Sequence, residues 1–212
     1  MQKKIHDMYN RLYDFFGPQK WWPGDTPFEV MVGAVLTQNT NWRNVEKAIE
    51  NLKRAGVLSF TRMSSLPVSL VAEYIRPAGY YNIKAGRLQN LFTLIKERYE
   101  GSVDKLFSEE TGALRQVLLS VRGIGPETAD SILLYAASRP VFVVDSYTYR
   151  ILVRHDLIPE EYEYEEIQEF FMEYLEPDSE LFNEFHALIV CAGKQFCKKA
   201  VPCCQGCPLE GM

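Results

Sequence analysis

Apolar residues along this chain recur at helical spacing and nowhere alternate with period two for long. Leu114, Val117, Leu118 and Val121 fall at i, i+3, i+4 and i+7, and Ala129, Ile132, Leu133 and Ala136 repeat that spacing. The pattern predicts two amphipathic helices flanking Gly123-Ile124-Gly125, a helical hairpin with a glycine-rich turn. Glycines on either side of one apolar residue allow positive φ and let another molecule approach the backbone, while Pro126 suits the first turn of the second helix. The turn would then present backbone N–H groups at a helix N-terminus. Such a corner attracts anions, a DNA phosphate among them; the plain alternative is a tight turn and nothing more.

The other elements read the same way. An N-terminal helix is followed by Trp21-Trp22-Pro23 in a loop bounded by proline and glycine. Thr26-Pro27-Phe28-Glu29 has a capping threonine, a first-turn proline and a glutamate three residues after the cap, which starts a helix with Phe28, Met31, Val32 and Val35 as its stripe. That helix gives out in the polar run Thr37 to Thr40. The next begins near Trp42, turns Val45, Ile49 and Leu52 inward and stops at Gly56. Further helices are predicted around Leu70 to Ile75 and through Leu88, Leu91, Phe92, Ile95 and Tyr99. The fold class expected is all-α.

At 212 residues, with 47% apolar and 24% charged, the chain is long enough to bury a sizeable core in one domain or two small ones. It has no run of 18 apolar residues and no cleavable leader pattern, so a cytoplasmic protein without membrane contact is expected. The net charge of −5 argues against bulk affinity for nucleic acid. A local basic surface could come from Lys84, Arg87, Lys96, Arg98, Arg115, Arg122, Lys194, Lys198 and Lys199, whereas the six glutamates within residues 159 to 170 read as a solvated helix face. All five cysteines, Cys191, Cys197, Cys203, Cys204 and Cys207, lie in the last 22 residues, which favours metal or cluster ligation over disulfides. His6, His155 and His186 have no second ligand at useful spacing and read as structural or surface histidines.

Asp145 stands twenty residues beyond Gly125, after the apolar run Val141 to Val144. VRGIGPETAD followed by VVDSYTYRIL resembles the helix-hairpin-helix, Gly/Pro, Asp (HhH-GPD) superfamily of DNA glycosylases, with endonuclease III as its type member. The resemblance covers almost the whole chain. It implies a two-domain fold, with a six-helix barrel over residues 25–130 carrying the hairpin and a second helical domain built from residues 1–24 and 131–212. It also implies a monomer acting on double-stranded DNA that contains a damaged base, nucleoid-associated in a bacterium. Cleaving an N-glycosidic bond builds positive charge on the sugar as the base departs, so a carboxylate beside it lowers the barrier and can orient the attacking water. Asp145 is the candidate; capping the helix that starts at Ser146 is a compatible second role.

Bifunctional members carry a lysine in Gly-x-Gly-x-Lys that forms a Schiff base and nicks the strand. Here that position is Glu127, which cannot, so the resemblance implies a monofunctional enzyme that uses water and leaves an abasic site. WWPGDTPFEVMVGAVLTQNTNW and IRPAGYYNIKAGRL are similar to the superfamily's 3-methyladenine glycosylases, which share the paired tryptophans, the glutamate after the hairpin and an aromatic two residues beyond Gln-Asn-Thr. Trp21, Trp22 and Trp42 would line a pocket that sandwiches a flipped alkylated purine, and Glu127 would favour its positive charge; the alternative for each tryptophan is core packing. By the same resemblance Gln38 fills the gap left by the flipped nucleotide, Gly123, Ile124 and Gly125 meet phosphate, and Lys194 and Lys198 flank a DNA-touching loop. Rival readings are an endonuclease III-like enzyme for oxidised or deaminated bases and a non-catalytic DNA-binding module.

Endonuclease III holds a 4Fe–4S cluster on Cys-x6-Cys-x2-Cys-x5-Cys. Cys197, Cys204 and Cys207 match the first three positions, and the fourth would fall one residue past Met212. A truncated chain, substitution by Cys191 or Cys203, zinc instead of the cluster, or an empty vestige are the alternatives.

Overall fold

A computed structural model describes residues 1–19, 21 and 24–212, and every regular element among them is helical. The chain divides into two compact units, Met1–Trp22 with Ser138–Met212, and Pro23–Ala137. The division falls at 137/138 and not at 130, because Pro126–Ala136 is one unbroken helical stretch. No helix among the described residues is long and apolar enough to cross a membrane.

In the first unit, α1 (Gln2–Phe16) buries Ile5, Met8 and Leu12, one stripe at helical spacing. The other unit-one helices are α10 (Ser146–Arg154), α11 (Tyr164–Tyr174) and α12 (Ser179–Gln195), and α12 packs against both α1 and α10. An aromatic core holds them, with Phe142 stacked on Phe171 at 3.8 Å between ring centroids and Phe182 and Phe185 set edge-on to Phe142. The apolar run Val141–Val144 is buried without belonging to a sheet, so its polar backbone needs side-chain partners. Gln168 supplies one, donating to the Phe142 carbonyl at 2.7 Å, and the Tyr164 hydroxyl accepts from Val144 N at 3.4 Å. The acidic run opens α11, where Glu163 and Glu166 form a reciprocal capping box.

In the second unit, α2 (Pro27–Thr37) starts as expected, with Thr26 Oγ1 accepting from Glu29 N at 3.1 Å. It is buried from Phe28 to Leu36 on every side, so it is the unit's central rod rather than a surface helix. Around it pack α3 (Trp42–Arg54), α6 (Tyr81–Tyr99) and the α9 stretch (Pro126–Ser131, widening into a π-turn at Ile132–Ala136). Shorter helices, α4 (Phe60–Met63), α5 (Val68–Tyr74), α7 (Val103–Phe107) and α8 (Thr111–Leu119), fill the rest. Lys84 on α6 is 1% exposed and donates to the carbonyls of Leu36 and Ala78, each at 2.8 Å. It thereby satisfies a carbonyl at the C-terminal end of α2, just before the chain reaches Gln38.

Candidate active site

The hairpin joins α8 to α9. Gly123 sits at φ +99°, and a Cβ there would lie 2.5 Å from Arg87 Cγ, so this position requires glycine twice over. Gly125 does not reach positive φ as the sequence suggested: at φ −98°, ψ −179° it is the extended N-cap of α9, with open space where a side chain would stand. No side chain caps α9, and Pro126 at its first position has no N–H to be satisfied. Ile124 is 5% exposed, its side chain turned into the unit, and its N–H donates to Val121 O at 3.0 Å. Any contact it makes with a ligand therefore comes from its main chain.

Gln38 is held against the hairpin. Its Nε2 donates to Gly123 O at 3.1 Å and Thr128 Oγ1 at 2.9 Å, and its Oε1 accepts from Arg87 Nη1. Both amide donors are thus committed inside the unit, a different employment from filling a gap in DNA; the neighbouring Asn39, exposed at φ +53°, is the side chain this turn presents. The expected basic surface also thins: Lys84 is buried, Arg87 serves Gln38, and Arg115 forms a forked pair with the fully buried Asp130 at 2.7 and 3.0 Å. Asp130 is consequently a buried anchor between α8 and α9. Glu127 is exposed in the first turn of α9 and Trp42 is half-buried at the start of α3.

In the first unit, Asp145 caps α10. Oδ1 accepts from Tyr147 N at 2.9 Å, Thr148 N at 2.8 Å and Thr148 Oγ1 at 3.0 Å. Oδ2 faces His186 Nε2 at 3.6 Å, and the Asp145 side chain is 12% exposed. Burial pushes this carboxyl up, but the His186 ring and the Thr148 donors outweigh it and hold it below the usual aspartate value. Sequence reasoning missed His186, because nothing in its spacing ties it to a residue 41 positions earlier.

Trp21 is half-buried with the Lys194 ammonium 5.4 Å from its ring centroid, and its indole N–H is buried without a hydrogen-bond partner among the described residues. Trp22 lies outside the described residues. Lys198 is exposed and its carbonyl accepts from Arg154 at 2.8 Å. Cys197 is buried, with Arg154 Nη1 3.2 Å from its sulfur. Burial raises the Cys207 thiol, and the charges of nearby Cys204 and Cys197 raise it further. Cys191 instead turns its thiol to Gln19 Oε1 at 3.1 Å, and Cys203 is exposed. Among the described residues no three His, Cys, Asp or Glu side chains converge as a metal-holding group.

A glycine hairpin thus joins α8 to α9, and a carboxylate caps a later helix. The model of the HhH-GPD superfamily base excision DNA repair proteins matches residues 32–177, and the chain belongs to that superfamily as a DNA glycosylase. A provisionally named DNA repair glycosylase of Methanocaldococcus jannaschii is 47% identical over 97% of this chain and 94% of its own length. The Helicobacter pylori 3-methyladenine DNA glycosylase bound to 1,N6-ethenoadenine superposes with a TM-score of 0.77 at 33% identity, covering 92% of this chain and 97% of that one. A non-covalent endonuclease III–DNA complex superposes with a TM-score of 0.83 at 22% identity over 99% of this chain and 93% of that one, which speaks for the fold.

Proposed function

We propose that the protein is a monofunctional glycosylase that removes an alkylated purine such as 3-methyladenine from duplex DNA, with water as nucleophile and Asp145 as the group that stabilises the reacting sugar. The observation that carries this is the divided carboxylate. Oδ1 is saturated by three donors from α10, which keeps the group ionised and rigid, and leaves Oδ2 as the oxygen able to meet a developing positive charge or an attacking water. Because Glu127 stands where a Schiff-base lysine would, the product is an intact strand with an abasic site.

The substrate class draws on the likeness to the H. pylori 3-methyladenine enzyme and on the tryptophans Trp21, Trp22 and Trp42, whose electron-rich rings suit an electron-poor alkylated base. Phosphate contacts are assigned to the main chain of Gly123 and Gly125, with Ile124, its own N–H given to Val121 O, holding the turn between them, and with Lys194 and Lys198 as further basic contacts. Were a 4Fe–4S cluster bound, Cys197, Cys204 and Cys207 would be three of its ligands, and the base-release steps above would not draw on it.

Base release from duplexes carrying 3-methyladenine, thymine glycol or uracil tests this reading, with borohydride added in parallel. Release of 3-methyladenine alone, with no trapped adduct, is expected. Preference for thymine glycol or uracil would move the enzyme to the oxidised- or deaminated-base class, and a trapped adduct would overturn the monofunctional assignment.

A further inference from the structure

His186 and Gly193 lie seven residues apart on α12, two helical turns, and so share one face of it. Both meet the beginning of α10. A Cβ on Gly193 would sit 2.3 Å from Tyr147 Cδ1 and 2.8 Å from Tyr147 Cβ, so only glycine lets α12 approach the first turn of α10 this closely. On the same face His186 Nε2 stands 3.6 Å from Asp145 Oδ2, with side chains 7% and 12% exposed respectively. The two oxygens of Asp145 are therefore handled by different elements: α10 holds Oδ1 through three short hydrogen bonds, and α12 addresses Oδ2. At 3.6 Å the contact orients and attracts without the short bond that would occupy the oxygen.

We propose that His186 is a positioning residue for Asp145, fixing the direction of Oδ2 and lowering the free energy of its ionised form. This rests on the assignment of Asp145 as the reacting carboxylate. With His186 present, Oδ2 is oriented before DNA arrives, so the carboxylate need not reorganise as the sugar becomes positive. The contact is made through the enzyme's own carboxylate, so its loss should fall on the chemical step and spare DNA affinity.

Single-turnover base release and affinity for DNA carrying an abasic-site analogue, measured on variants, separate the outcomes. His186→Leu is expected to slow base release by about tenfold to a hundredfold, the range for losing a polar contact to a charged group, with DNA affinity within about twofold of the parent. His186→Gln, whose amide nitrogen reaches close to the position of Nε2, should recover most of the rate. His186→Asn, whose amide falls short, should not. Titration of the Asp145 carboxyl carbon by NMR should show its pKa raised in the Leu and Asn variants and returned toward the parent value in the Gln variant. If the Leu variant fails to fold, the Gln and Asn pair carries the comparison. Rates within about twofold of the parent in both His186→Leu and His186→Asn, with Asp145→Asn inactive, would overturn the role of His186 and leave Asp145 standing. Equal losses in the Gln and Asn variants together with lost DNA affinity would mean a packing role and would also overturn it. An active Asp145→Asn would instead remove the assignment on which the proposal rests.

Discussion

Two helix N-termini in this protein are finished in opposite ways. At α10 the anion is built in: Asp145 fills the amides of Tyr147 and Thr148 with its own oxygen. At α9 the cap is Gly125, which has no side chain to offer. The same backbone electrostatics therefore serves two ends. On the proposed reading, the self-capped terminus would hold a carboxylate still for reaction and the uncapped one would take a partner's phosphate. Flanking residues reinforce the difference, since Gln38, Arg87 and Thr128 clamp the hairpin, whereas Gly193 and His186 bring a second helix onto the capped terminus.

Exchanging the two finishes is the most direct way to break this comparison. Asp145→Asn keeps a good cap, so thermal unfolding should report a loss under about 1 kcal/mol while single-turnover base release falls by roughly a hundredfold to ten-thousandfold. Gly123→Ala attacks the hairpin's geometry: positive φ and the crowded Arg87 side chain should cost about 2 kcal/mol in denaturant unfolding. Gly125→Asp would give α9 the built-in anion of α10. The extended N-cap accommodates it, so stability should hold or rise by about 0.5 kcal/mol, while DNA affinity drops about tenfold and its salt dependence becomes shallower. A Gly125→Asp protein that binds DNA as well as the parent would show that the open amides are not the grip. Gln38→Glu, which keeps the Arg87 partner but loses both amide donors, should cost about 1 kcal/mol, read as a lower unfolding midpoint with the base-release chemistry unchanged.

Much of the fold was legible. The 3.6-residue stripes located α2, α3, α6, α8 and α9, and Thr26 and Gly56 marked the ends they were expected to mark, Gly56 at φ +66°. These signals are local: a helix advertises its buried face within its own residues. The local geometry was legible where a motif binds type to spacing, as with the positive φ of Gly123 and the helix cap at Asp145. The misreadings all concern long-range partners. Lys84, Arg87 and Arg115 look from their neighbours like surface cations, yet their charges are used up on Leu36 and Ala78, on Gln38 and on Asp130. Cys191 looks like a spare metal ligand, yet its thiol serves Gln19.

The chain's own pattern determined an all-helical protein with a glycine hairpin and a capping aspartate, because helix periodicity, caps and turns are decided by residues within a few positions of one another. Only the tertiary structure decided that Gln38 is a strut and that His186 meets Oδ2 of Asp145. Each of those depends on where a distant helix lies, and side-chain hydrogen bonds and charge act over a few ångströms of space however many residues of chain separate the partners.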